Sequence, residues 1–238
     1  MLTNTMKSSA IRVLATLALA AVPGFASPIY VNNFSFEDVT GGVSLPSRCG
    51  GNCAASDGNV LPILGWTFAG NTQAPWGQFQ TGAATNNFFN AGPNPDNAGP
   101  TIAYVEGGTL SQLVYTIPTL TANLSYTLQV DIGDRKDLGA GGFVGTADLK
   151  ICGVSSCTTT AAIGTAPVVG GFSTYTATYL ATAADSGKTV TIQLNGTGAE
   201  GNFDNVRFTD GVPEPASFLL IGPALLMLGS FRRHRLNA

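Results

Sequence analysis

The stretch Leu124-Ser125-Tyr126-Thr127-Leu128-Gln129-Val130-Asp131-Ile132 decides the fold. Five apolar side chains alternate with four polar ones, the period of a strand with one face in a core and the other turned away from it. The same pattern returns at Val190, Ile192 and Leu194, interleaved with Thr191 and Gln193, and at Tyr175, Ala177 and Tyr179 within a Thr-rich run. No stretch of comparable length carries helical spacing. Further strands are expected over 29–36, 61–68, 101–105, 109–117, 144–151 and 202–209, which makes an all-β domain: a two-sheet antiparallel β-sandwich of the jelly-roll kind.

Composition agrees. Gly is abundant at 30 residues and charged residues make up only 11%, which suits short strands joined by turns, while 44% hydrophobic residues suffice for a core. Residues 40–59 and 82–100 are rich in Gly, Asn and Pro and read as long surface loops, hence candidate binding elements. Over residues 27–211 six basic residues face thirteen acidic ones, a net charge of −7, which argues against a nucleic-acid partner. The remaining five Lys and Arg lie in the terminal segments.

Those segments read as addresses. Lys7 and Arg12 precede the apolar run Val13–Val22, and Gly24-Phe25-Ala26 offers small residues around a cleavage point, so residues 1–26 form a secretory signal peptide. The domain then covers 27–211. At the far end Val212-Pro213-Glu214-Pro215 leads into sixteen uncharged residues, 216–231, followed by Arg232, Arg233 and Arg235. As a helix the apolar segment would be about 24 Å long, a short transmembrane helix, with its arginines held on the cytoplasmic side.

The order of these three parts over 212–238 resembles the PEP-CTERM sorting signal, also labelled an ice-binding protein C-terminal domain. That resemblance implies exosortase as the recognising partner, with Val212, Pro213, Glu214 and Pro215 as the recognition element. The leader implies the Sec translocon and signal peptidase as export partners, and the sorting signal implies the inner membrane as a transient station and the cell surface or an extracellular matrix rich in exopolysaccharide as the destination. The pieces Asn33-Phe34-Ser35-Phe36-Glu37, Gly65-Trp66, Gly107–Gln112 and Phe203-Asp204-Asn205-Val206-Arg207-Phe208 resemble galactose-binding-like jelly rolls, the fold of many carbohydrate-binding modules. This second resemblance implies a structural calcium near Glu37 and Asp204, where hard carboxylate oxygens suit Ca²⁺. Alternation places Asp204 with Val206 and Phe208 on the core face, where a charge needs a cation or an Arg partner. The other reading has Asp204 capping a turn and Glu37 solvated. No cofactor is required.

Chemistry is read mostly by exclusion. His234 is the sole histidine and lies in the basic tail, so Ser-His-Asp or Cys-His catalysis and His-ligated zinc are excluded for the domain. Cys49 with Cys53, and Cys152 with Cys157, each bracket a few small residues and are expected to close local disulfides in an exported chain. Trp66 is expected in the core, whereas Trp76 is a candidate for stacking on a ligand ring. Phe88-Phe89 is either an exposed patch or a loop folded back on the sandwich. The expectation that follows is a non-catalytic surface or matrix protein, associated with exopolysaccharide or biofilm and able to bind carbohydrate. Its rival is a secreted glycan hydrolase using an Asp/Glu pair.

Overall fold

The computed structural model describes residues 26–38, 63–70, 76–80, 89, 99, 101–114, 120–138 and 145–211. Cys49, Cys53, the leader, the Pro-Glu-Pro motif, segment 216–231 and the arginine tail lie outside the described residues. The strands are β1 (Ser27–Ile29), β2 (Thr67–Gly70), β3 (Trp76–Gln80), β4 (Thr101–Leu113), β5 (Ser125–Gly133), β6 (Gly145–Cys152), β7 (Cys157–Ala161), β8 (Phe172–Leu180) and β9 (Thr189–Gly211).

All described strand pairs are antiparallel. They join into one nine-stranded sheet with the path β2-β4-β9-β5-β8, β1 and β6 adding to β9, β3 to β4 and β7 to β6. All-β and antiparallel are therefore as expected, but the two sheets expected to be separate are continuous through β4 and the 23-residue β9. The sheet folds on itself like a nearly closed barrel. Residues 108–113 of β4 pair with 191–196 of β9, whose other edge pairs with β6, while 103–106 pair with 200–203. A register shift between Glu106 and Gly108, with Gly107 at φ 62°, lets one strand serve both ends. Gly196 is required at the bend, since a Cβ there would run into the Val105 carbonyl oxygen.

The deciding stretch behaves as read: Tyr126, Leu128, Val130 and Ile132 are almost wholly buried in the main core with Leu110, Ala147, Leu149, Ile151, Val190, Ile192, Leu194, Phe203 and Phe208. Each such aliphatic or aromatic side chain contributes about 1.5–3 kcal/mol on leaving water. Trp66 joins this core against Phe36, ring centroids 5.4 Å apart.

Sequence pieces far apart in the chain converge. Gln112, buried on β4, accepts from Asn32 N at 2.8 Å and donates to the carbonyls of Asn32 at 2.8 Å and Gly65 at 3.0 Å. Val206 N donates to Phe34 O at 2.8 Å, so the first turn is tied to the last strand. Asn33 and Phe36 take left-handed backbone at φ 48° and 57°, and the Asn33 side chain closes the turn by bonding both N and O of Asp38. Cys152 and Cys157 face each other across the β6–β7 hairpin and are disulfide-bonded.

Candidate functional site

The site lies on the other side of the sheet from the main core. Ala103 and Val105 of β4 belong to that core, whereas Ile102 and Tyr104, which alternate with them, belong to a second cluster with Phe79 and Phe89, against which Phe172 packs. Asn202 of β9 is the cross-strand partner of Tyr104, and opposed residues share a face. Phe203 points into the main core, so alternation returns Asp204 to the face of Asn202 and Tyr104.

Asn205 then takes φ 49° inside the strand. Its left-handed backbone inserts one residue, after which Val206 and Phe208 are again in the main core. The expected parity of Asp204 with Val206 and Phe208 is corrected by this bulge. Asp204 is indeed wholly buried, but it belongs to the second face.

Aromatic rings wall this face in a chain. Centroids are 5.7 Å apart for Tyr104–Phe79, 6.5 Å for Phe79–Phe89 and 4.7 Å for Phe89–Phe172. Phe79 rides on β3 beside β4, and Phe172 is the partner of Gly133 on β5. β9 runs between β4 and β5, so Asn202 and Asp204 form a polar strip with aromatic walls on both sides. Gly133 admits the second wall, because a Cβ there would lie 2.6 Å from Phe172 and 2.8 Å from Phe89. Phe89 is thus a loop aromatic folded back, not an exposed one.

The strip is not satisfied by the described residues. Asn202 and Asp204 both have no exposed surface, yet among the described residues neither side-chain atom of Asn202 has a hydrogen-bond partner, and Asp204 Oδ2 has none. Asp204 Oδ1 accepts only the Asn205 backbone N–H, at 2.7 Å. Buried polar groups are normally paired, so such atoms on one wall call for a ligand or ordered water.

Electrostatics make Asp204 an acid. Burial, reinforced by the charges of Glu37 and Asp131 and opposed by the Asn205 N–H, pushes its carboxyl up to about 9. At neutral pH it therefore carries a proton. Burial, with the charge of Glu200, also raises the Tyr104 phenol, which stays a neutral O–H.

Two ion-pair clusters frame the strip. Arg135 Nη1 bonds both oxygens of Glu200 at 2.7 Å, while its Nε and Nη2 hold Asp137 at 3.0 and 2.6 Å. Glu200 lies two residues before Asn202, and burial raises its carboxyl against the lowering pull of Arg135. On the other side Asp131 accepts from Thr174 at 2.6 Å, Asn205 at 3.0 Å and Arg207 at 3.3 Å.

Of the residues singled out from sequence, Glu37 accepts from Thr101 N at 2.7 Å and Thr101 Oγ1 at 3.1 Å, with its carboxyl raised chiefly by burial. Its charge reaches Asp204, so the two expected calcium ligands are neighbours in the electrostatic sense. Among the described residues no three or more His, Cys, Asp or Glu converge as a metal cage. The orphaned Asp204 oxygen is a donor of the right kind for Ca²⁺, whose shell would be completed by Glu37, backbone carbonyls and water. Trp76 lies elsewhere: it stacks on Phe68 at 4.8 Å and packs against the main core. Tyr104, Asn202, Phe79, Phe172 and the Arg135–Glu200 pair were not singled out. Only Tyr104 and Phe79 carried a signal, as aromatics flanking a Gly-rich loop.

A fully buried carboxylic acid and a phenol thus share one face with a chain of aromatic rings. Residues 27–209 match the HpiC1-like family, described as HpiC1 cyclase, and the chain belongs to that family. Among solved structures, FisC, a Stig cyclase from Fischerella sp. TAU, superposes with a TM-score of 0.57 at 21% identity, covering 78% of this chain and 98% of that one. A second cyclase structure from the same organism gives 0.55 at 22% identity, covering 78% and 98%. The CBM22-1 xylan-binding domain of Paenibacillus barcinonensis Xyn10C gives 0.42 at 11% identity, covering 81% and 97%. No curated protein matches the chain.

Family membership overturns the expected non-catalytic matrix role and, with it, the rival glycan hydrolase. The error has a physical source. The lack of a histidine in the domain excludes only histidine-based chemistry, and the burial of Asp204, one of thirteen acidic residues over 27–211, is not marked in the sequence.

Proposed function

We propose that this chain is a cyclase that closes rings by proton donation from Asp204 to an unsaturated, aromatic-bearing small molecule. The observation that carries the reading is the Asp204 carboxyl itself, wholly buried with Oδ2 unpartnered on the aromatic-walled face, a setting in which burial favours the protonated form. Transfer of that proton to a substrate double bond leaves a cationic carbon and an aspartate. The electron pair of a second double bond or ring then attacks the cation, the new ring bond forms, and loss of a proton to the aspartate restores the acid. The substrate is isomerised, with nothing gained or lost.

The surrounding residues suit these steps. Ring faces of Phe79, Phe89 and Phe172 stabilise developing positive charge by cation–π attraction while excluding water. The Tyr104 phenol donates a hydrogen bond without adding charge. FisC has been crystallised with (3Z)-3-(1-methyl-2-pyrrolidinylidene)-3H-indole, and a cyclase from the same organism with 4-(1H-indol-3-yl)butan-2-one. Indole-bearing molecules are thus the first substrates to test, the Phe walls offering flat apolar contact.

The test incubates the purified chain with indole-bearing alkenes and imines in D₂O. A ring-closed product of unchanged formula apart from solvent deuterium, formed by the wild type and not by Asp204→Asn, is the expected result. Equal turnover by the variant would sink the assignment.

The unpartnered Asp204 oxygen also favours a second reading, a calcium ion shared with Glu37. The two readings oppose each other in one measurable respect: a bound cation lowers the Asp204 carboxyl, so calcium at millimolar concentration would raise the melting temperature and EGTA would lower it. Export by the Sec translocon and signal peptidase, recognition at Pro213-Glu214-Pro215 by exosortase, and passage through the inner membrane to the surface complete the proposal. They rest on the terminal segments, and cell fractionation with anti-tag detection tests them: full-length chain confined to the cytoplasm would refute them.

A further inference from the structure

Asn202 has no part in proton donation, yet it is the least satisfied polar residue on the site face. Its amide has no exposed surface, and among the described residues neither its nitrogen nor its oxygen has a partner. Burying an amide in that state costs about 1–3 kcal/mol for each unpaired group, and valine would fit a strand without that cost.

Which amide atom is oxygen and which nitrogen does not affect the argument, because both are unpaired. Its position is fixed by the strand. Asn202 is directly opposite Tyr104 and two residues from Asp204, with Phe203 between them anchored in the main core.

The geometry points to Asn202 as the residue that orients the substrate, by binding a ligand edge that presents a hydrogen-bond donor beside an acceptor. This deepens the cyclase reading and rests on it for the identity of the site. A carboxamide offers N–H and C=O side by side in one plane, and its complement is another planar donor–acceptor pair, as when Asn or Gln reads an adenine edge. Lactams, amidines and aminated heterocycles present the whole edge, an indole presents its donor half, and a hydrocarbon presents neither. A planar nitrogen heterocycle held at its edge by Asn202 would lie with its faces toward Phe79, Phe89 and Phe172 and within reach of Asp204. The same side chain would reject a ligand of equal shape with no polar edge, because its own groups would stay unpaired.

Four bicyclic probes of nearly equal size separate the possibilities: oxindole with donor and acceptor adjacent, indole with a donor only, benzofuran with a weak acceptor only, and indene with neither. Dissociation constants are measured by calorimetry or NMR titration on the full chain. The wild type is expected to bind oxindole at least about tenfold tighter than indene, with indole and benzofuran between. Asn202→Leu, close in volume, should bring the four within about twofold and keep indene binding. Because that variant could misfold, the side-chain amide resonances of Asn202 in the wild type give a second readout: oxindole should shift them and indene should not.

Indene binding as tight as oxindole in the wild type, no binding of any probe, or an unchanged preference in a folded Asn202→Leu would each overturn the inference. Asp204→Asn separates this from the catalytic reading. It should keep the oxindole preference while losing turnover. Preference without an elevated Asp204 titration would refute the acid alone, and an elevated titration without preference would refute only the role of Asn202.

Discussion

Replacing Asp204 with asparagine should make the protein more stable and inactive, and the size of the gain follows from proton linkage. The unfolded carboxyl titrates near 3.8 and the folded one at about 9. Between those values the folded state binds one proton that the unfolded state does not, so stability falls as pH rises, by about 1.4 kcal/mol per pH unit. From pH 4 to pH 7 that amounts to about 4 kcal/mol of lost stability attributable to this one group. Asparagine is nearly isosteric, cannot ionise, and keeps an oxygen to accept the Asn205 N–H. Its nitrogen supplies the donor that the protonated acid supplied. Urea unfolding at pH 5, 7 and 8.5 is the assay. The wild-type midpoint should fall across the series relative to the variant, with the gap near 4 kcal/mol at pH 7 and smaller at pH 5. Parallel profiles, or a wild type that gains on the variant with rising pH, would refute the reasoning, because Asp204 would then ionise like an exposed carboxylate.

Tyr104→Phe should fold with a midpoint within about 1 kcal/mol of the wild type and lower turnover about 10–100-fold, read from steady-state kinetics, since only the phenol O–H is removed from the site face. Gly133→Ala forces the Phe172 and Phe89 rings to move and should weaken oxindole binding in calorimetry while leaving the far-UV dichroism of the sheet intact. Glu200→Gln removes one of the carboxylates that hold the largely buried Arg135 and should cost about 3 kcal/mol in urea unfolding. Reducing Cys152–Cys157, or Cys152→Ser, opens only a hairpin-sized loop and should cost about 2 kcal/mol.

Much of the fold was legible because burial on one face leaves a period-two record. The stretch 124–132 became β5, 144–151 became β6, and the run around Tyr175 became β8, each within a residue or three of expectation. The failures cluster where glycine interrupts that record. Segments 101–105 and 109–117 read as two strands because the Gly107-Gly108 bulge resets the alternation, and 190–194 and 202–209 read as two because Gly196, Gly198 and Gly201 break the pattern within β9. β3, Trp76-Gly77-Gln78-Phe79-Gln80, and β7, Cys157–Ala161, were missed for want of an apolar run, and the strand expected over 29–36 ends at Ile29 because Asn33 and Phe36 take left-handed backbone in a turn.

The site was legible only in part. Asp204 and Glu37 stood out, but the left-handed Asn205 that turns Asp204 to the second face leaves no mark in a residue pattern. Asn202 is one of many asparagines until its pairing with Tyr104 is known. Phe79, Phe89, Tyr104 and Phe172 come from four separate segments, and only the strand order places them around one strip.

The most direct test is the titration of Asp204 itself. With aspartate labelled at the side-chain carboxyl carbon, NMR of the wild type against Asp204→Asn identifies one resonance and follows it with pH. The account predicts a carboxyl that stays protonated through neutrality and titrates near 9. A resonance already shifted to the carboxylate position by pH 5, with or without added calcium, would contradict it.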